Sequence, residues 1–198
     1  MAGHLSSGRV EALAGNGSAG WSAGHRAVMP TLADLPDSAS MLVRTCQPGL
    51  TPDQGRLLVH GLDLLFAQFI KEKRCLSHAA ETTADGHLVL AAWVGAPLSG
   101  CSHDRLAGLF TVWGDRFGCD LLTAPPLVIA QAGQARTVDR RALRELASTA
   151  DVRAATTWDT RAQTLGAWRA GCAQPLMGSW IDRALGLSSQ ENLDAARR

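Results

Sequence analysis

Ala84-Asp85-Gly86, followed by His87-Leu88-Val89-Leu90-Ala91-Ala92-Trp93-Val94, decides how this chain folds. Asp-Gly is the turn pair that joins antiparallel strands, because both residues tolerate positive φ. The run after it is nearly continuously apolar, short and bounded by turn residues, which suits a central strand better than a helix. The turn then predicts a partner strand on its other side, over Leu76 to Thr83, although that arm is more polar.

Working outward towards the N-terminus, Thr51-Pro52-Asp53-Gln54 reads as a helix start. Thr51 is the cap, Pro52 suits the first turn and Gln54 closes a capping box. Leu58, Leu62, Leu65, Phe66 and Phe69 recur at helical spacing, so the helix runs to about Lys73. Met41 to Cys46 is a short strand ended by Pro48-Gly49. In the other direction, Ser99-Gly100-Cys101-Ser102-His103-Asp104 separates the central strand from a second amphipathic helix. Ser102 is the expected cap, with Asp104 in the first turn, where negative charge is favoured. Leu106, Leu109, Phe110, Trp113 and Phe117 form its apolar stripe, and Gly118 is a natural stop. Pro126 to Ala130 predicts a fourth strand, and Ala132-Gly133-Gln134 turns it into a fifth near Ala135 to Val138. Asp139 then caps a helix through Leu146.

The order strand, helix, strand, strand, helix, strand is that of the α+β, ferredoxin-like βαββαβ arrangement. Its four strands are antiparallel in the order 4-1-3-2 with both helices on one face; here a fifth strand and C-terminal helices are appended. The expected organisation is a Gly/Ala/Ser-rich disordered tail over residues 1–38, an α+β core over 39–150, a helical extension over 151–187 and a frayed tail over 188–198. Within the extension, Thr160-x-x-Gln163 reads as a capping box leading to Leu165 and Trp168. Ser179 to Leu185 reads as a last helix carrying Trp180 and Ile181.

Composition narrows the function classes. Of 198 residues, 46% are hydrophobic and 19% charged, so most of the chain buries a core. The formal net charge is +1 and basic residues do not cluster, which argues against nucleic acid as a partner. The same strand order occurs in a common RNA-recognition domain, but Leu42-Val43 and Leu88-Val89 stand where its base-stacking aromatics would be. No run is apolar enough to span a bilayer, so no membrane is expected. Five cysteines at scattered positions, with no secretory signal, point to free thiols in the cytoplasm.

The expected topology brings Gly100 to Asp104 against Lys71 to His78, with Cys46 and the Asp-Gly turn at the opposite end. That edge gathers Cys75, His78, Cys101 and His103 around a helix N-terminus, with Lys71, Lys73 and Arg74 nearby. Three readings compete. In the first, Ser102 and Asp104 cap the helix and the cysteines are apolar filler. In the second, Cys101 is a nucleophilic thiol lowered in pKa by the helix terminus and the cations, with Ser102, His103 and Asp104 beside it. In the third, Cys75-x-x-His78 and Cys101-x-His103 hold zinc. Cys119, before Asp120, reads as a packing residue beside a polar turn, His60 as a surface residue, and Trp158 and Trp180 as pins of the terminal helices.

Gly100-Cys101-Ser102-x-Asp104 before a helix ending in Phe117-Gly118, Thr157-Trp158-Asp159, and Ser179-Trp180 together carry a family resemblance. On these motifs the chain resembles, from about Ser40 to Trp180, a small uncharacterised bacterial protein family. Members of it are often labelled "ABC transporter ATPase". The sequence has no Gly-x-x-x-x-Gly-Lys-Ser/Thr loop to cradle phosphates, so the resemblance implies a fold and a shared Gly-Cys-Ser-x-Asp element but no ATPase activity. The expected function is a non-catalytic cytosolic binding or regulatory module for a protein or small ligand, with no cofactor. A thiol-dependent enzyme working through Cys101 is the alternative.

Overall fold

In the computed structural model, which describes residues 30–123, 127–146 and 154–187, β1 (Ser40–Thr45), β2 (Ser77–Thr82) and β3 (Leu88–Val94) form an antiparallel sheet in the order β1-β3-β2. Gly86 makes the β2–β3 turn at φ +72°, and a Cβ there would strike the backbone of Leu50 at 2.0 Å. Val89, Ala91 and Trp93 of β3 enter one core, and Leu88, Leu90 and Ala92 enter another. Burial on both faces is why the run is apolar without alternation.

The first core lies under two helices, α1 (Pro52–Lys71) and α2 (Gly100–Phe117). The capping box at Thr51 forms as predicted: Gln54 N donates to Thr51 Oγ1 at 3.3 Å, and Thr51 N to Gln54 Oε1 at 2.8 Å. Leu58, Leu62, Leu65, Phe66 and Phe69 are its buried face. α2 ends at Gly118 with φ +65°. Its start differs from expectation. Ser99, not Ser102, is the cap position, because the Ser99 carbonyl already accepts from Ser102 N at 2.9 Å and His103 N at 3.0 Å.

A second antiparallel sheet contains β4 (Leu127–Gln131), β5 (Gln134–Val138), β6 (Thr156–Thr157) and β7 (Gln174–Pro175) in the order β5-β4-β6-β7. The single sheet expected in the order 4-1-3-2 is therefore not the one that forms: β4 does not lie beside β1. The tight Ala132-Gly133 turn folds β5 onto one edge of β4, and β6 takes the other, pinned by Thr157 Oγ1 donating to Val128 O at 2.8 Å. The outer edge of β1 is met instead by the chain entering a later helix, through Met41 N to Gln163 O and Leu165 N to Ala39 O, both 2.9 Å. The molecule is α+β with two antiparallel sheets.

The described residues also form three short α-helices, α3 (Arg140–Leu146), α4 (Leu165–Gly171) and α5 (Trp180–Leu185). Asp139 caps α3 as predicted, and α5 forms where a last helix was expected, with Ser179 as its cap; α4 is capped by Thr164 rather than by the Thr160 box. Residues 154–187 are thus not purely helical, since they supply β6 and β7 to the second sheet. Order also begins before Ser38. Leu32 and Leu35 are buried in the second core, held by Arg169 Nη2 donating to Leu32 O at 2.7 Å and Leu35 O at 3.0 Å. With Val128, Ala162, Leu165 and Trp168 they cover the face of the first sheet that α1 and α2 leave open. The expectations for residues 1–29, Pro126, 151–153 and 188–198 lie outside the described residues. No described helix is long and apolar enough to cross a membrane.

Candidate functional site

The sequence directs attention to the N-terminal end of α2. As the topology predicted, that end faces the chain leaving α1. Arg74 Nη1 donates to Ser99 Oγ at 2.7 Å and to Ser102 Oγ at 2.9 Å, and the two hydroxyls are 3.1 Å apart. Arg74 Nε also pairs with Glu72 at 2.7 Å. Glu72 in turn accepts from Arg105 Nη1 at 2.8 and 3.0 Å, and this hydrogen bond holds its carboxyl below the usual range. Arg105 reaches Gln68 Oε1 at 2.5 Å and lies over the Phe69 ring at 4.8 Å, which ties α2 to α1.

Of the four expected site residues, Ser102 is buried within this network, while Cys101, His103 and Asp104 are exposed on the first turn. Among the described residues no base is hydrogen-bonded to the Cys101 sulfur. The two upstream candidates point elsewhere. Cys75 is buried with its sulfur 4.0 Å from Phe66 O. His78 is buried, stacked on Phe66 at 5.0 Å, with Nε2 3.1 Å from Asp63 Oδ1. Cys75, His78, Cys101 and His103 therefore do not converge, and no three His, Cys, Asp or Glu side chains among the described residues are grouped to hold a metal. Of the four residues in the zinc reading, Cys75 and His78 are buried while Cys101 and His103 are exposed.

The C-terminal end of α2 is built differently. Gly118 and Cys119 both donate to Gly114 O, which folds the chain back along the helix. Asp120 then forms a backbone bridge with Gln47, through Asp120 N to Gln47 O at 2.8 Å and Gln47 N to Asp120 O at 3.2 Å. Its carboxylate accepts from Leu122 N at 2.9 Å and Thr123 N at 2.7 Å, fixing the loop. Between this loop and the last turns of α2 runs a groove of about 310 Å³. Phe110, Leu121 and Leu122 give it apolar walls, and Cys119, Asp115 and Asp120 its polar groups. Asp115 has no ion-pair partner among the described residues, and the nearest α2 cation, Arg116, lies over the Trp113 ring at 5.1 Å. Cys119 packs against the core that holds Cys46, which is fully buried with its thiol donating to Pro48 O at 3.1 Å. Burial raises both thiols, Cys46 strongly so, and Asp120 raises them further.

A wider depression of about 470 Å³ lies on the β4–β5 hairpin around Gln131, Gln134 and Arg136. Among the described residues its apolar lining is alanine alone, and these offer a ligand less to hold. Sequence reasoning read Cys119 as filler and missed the groove. The local signal was the Gly-Cys-Asp after the helix, but the pairing of Asp120 with Gln47 crosses 73 residues and leaves no local pattern.

No protein-family model, curated protein or solved structure matches the chain.

Proposed function

We propose that the protein is a non-catalytic binding module whose groove between α2 and residues 119–123 takes a small ligand with a cationic head and an apolar arm. The observation that carries this is the composition of the groove: apolar walls from Phe110, Leu121 and Leu122 with two carboxylates, Asp115 and Asp120, and no cation among its described lining residues. A concave site with a few convergent polar groups is the usual form of a small-molecule site. The edge favoured by the sequence supports the same reading from the other side, since Arg74, Ser99 and Ser102 use their polar groups on one another. The covered sheet face leaves no platform for stacking bases.

The finer classification belongs to the same proposal. The β1-α1-β2-β3-α2 unit reads as ferredoxin-like, with its fourth strand position surrendered to a second sheet. Kinship with the Gly-Cys-Ser-x-Asp family rests on residues 100–104, 157–159 and 179–180. A cytoplasmic setting rests on the five free cysteines. The alternative, a thiol enzyme, draws its support from the exposure of Cys101.

The test is a titration followed by amide NMR, with n-hexylammonium and, in parallel, n-hexanol. The ammonium ion should give saturable shifts concentrated in residues 110–123. Asp115→Asn should weaken it by up to about fivefold, the value of one exposed charge pair. Cys101→Ala should leave it unchanged. Equal affinity for the alcohol, or shifts located at residues 99–104, would overturn the reading.

A further inference from the structure

The Gln47–Asp120 bridge also brings together the chain segments that carry two thiols. Because residue 47 pairs with 120 in antiparallel register, the next position along brings Pro48 opposite Cys119. Cys46 does not point away from that position. Its sulfur donates forward to the Pro48 carbonyl at 3.1 Å, so it lies along the strand towards Cys119, which packs against the same core cluster, and each thiol influences the other's ionisation. Both residues are held by their backbones: Cys46 N donates to His87 O at 2.9 Å, and Cys119 N to Gly114 O at 3.0 Å. Cys46 is fully buried, while Cys119 is half-buried in the groove wall. Cys119 lines the groove, and Cys46 lies in the core cluster against which Cys119 packs. The other cysteines lack this arrangement: Cys101 is exposed at the far end of α2, Cys75 is buried against Phe66, and Cys172 follows α4.

We propose that Cys46 and Cys119 form a dithiol site that a small soluble disulfide oxidises to an internal disulfide. The oxidant is of the glutathione-disulfide class. The Cys119 sulfur, as thiolate, attacks one sulfur of the oxidant; the S–S bond breaks and one thiolate leaves. The Cys46 sulfur then attacks Cys119 in this mixed disulfide, forming the internal S–S bond and expelling the second thiolate. Two electrons pass from the protein to the oxidant, and the two thiol protons end on the two released small thiols. The product links the chain just before α1 to the chain just after α2. This inference does not depend on what the groove binds.

The test uses the full chain, dilute and native, with oxidised glutathione at mildly alkaline pH, followed by acid quenching, alkylation and peptide mapping. The expected product is a peptide pair joined through Cys46 and Cys119, lighter than the reduced pair by two hydrogens and restored by dithiothreitol. Cys101, having no partner, should carry only a glutathione adduct. In Cys46→Ser the reaction should stop with glutathione on Cys119, which gives a second, independent signature. A stable glutathione adduct on Cys119 of the unaltered chain, no reaction at Cys119, or a bond between any other two cysteines would overturn the proposal.

Discussion

The two ends of α2 each present a cysteine, and they differ in what surrounds it. At the N-terminal end Cys101 is exposed, and the polar groups beside it, Ser99, Ser102 and Arg74, are bonded to one another. At the C-terminal end Cys119 is half-buried, packs on the core that holds a second thiol and lines a groove with a carboxylate, Asp115, that has no ion-pair partner among the described residues. The first end is crowded in sequence and self-satisfied in space. The second is sparse in sequence and open in space. Residues close along a chain tend to pair with each other, because caps and turns satisfy local backbone groups. Groups brought together by a long-range bridge have no such prior claim on one another.

The sharpest way to break the comparison is one substitution made at both ends. A Cβ at Gly114 would lie 2.8 Å from Cys119 O, a backbone atom of the loop that shapes the groove. Gly114→Ala should therefore destabilise the fold by about 1–3 kcal/mol despite the better helix propensity of alanine. A Cβ at Gly100 meets nothing within 4 Å. Gly100→Ala should stabilise by up to about 1 kcal/mol. In thermal unfolding the two midpoints should move in opposite directions, by roughly 2–4 °C per kcal/mol. If both rise, the 119–123 loop is not held against α2 in the way described.

How much of this was legible in the sequence follows the range of each interaction. The Thr51 capping box, the Gly118 stop, the Asp85-Gly86 turn and the central place of β3 are local or periodic features, and each formed as read. The facing of residues 71–78 and 99–105 was also legible, because connection lengths dictate it. Three things were not. The β4–β5 hairpin was read correctly, yet nothing local states which sheet it joins; that depends on β6, a two-residue strand at 156–157 too short to carry a period. Leu32 and Leu35 sit at the end of a Gly/Ala/Ser-rich stretch, where composition hides two apolar anchors. Ser102 was mistaken for the cap because Ser99 is also a good cap residue, and only the first helical hydrogen bonds separate them.

Arg74→Ala probes the N-terminal end. Ser102 is fully buried, and removing the guanidinium leaves its hydroxyl with Ser99 alone. The loss should be about 1–2 kcal/mol, the cost of a poorly satisfied buried hydroxyl, read from denaturant unfolding. Arg74→Lys, which keeps a donor, should recover part of it. An unchanged stability in Arg74→Ala would mean that the two hydroxyls suffice for each other, and the contrast between a bonded and an open end would weaken.

The smallest effect separates the thiols themselves. Cys46 and Cys119 are raised in the fold chiefly by burial, so the native state favours their protonated forms. For such a group, stability is fully present below the unfolded thiol value, about 8.5. It is lost as pH climbs from there towards the folded value, because the unfolded chain can release the proton and the folded one cannot. Cys46, the more strongly raised of the two, should cost about 1 kcal/mol by pH 9. The chain contains no tyrosine, so no phenol obscures this window. Stability measured from pH 7 to 9.5 should therefore fall with a slope that Cys46→Ala reduces, even though its curve starts lower. If Cys46→Ala and the unaltered chain fall in parallel above pH 8.5, Cys46 ionises without unfolding. The C-terminal end would then be as open to water as the N-terminal one, and the distinction between the two ends would not stand.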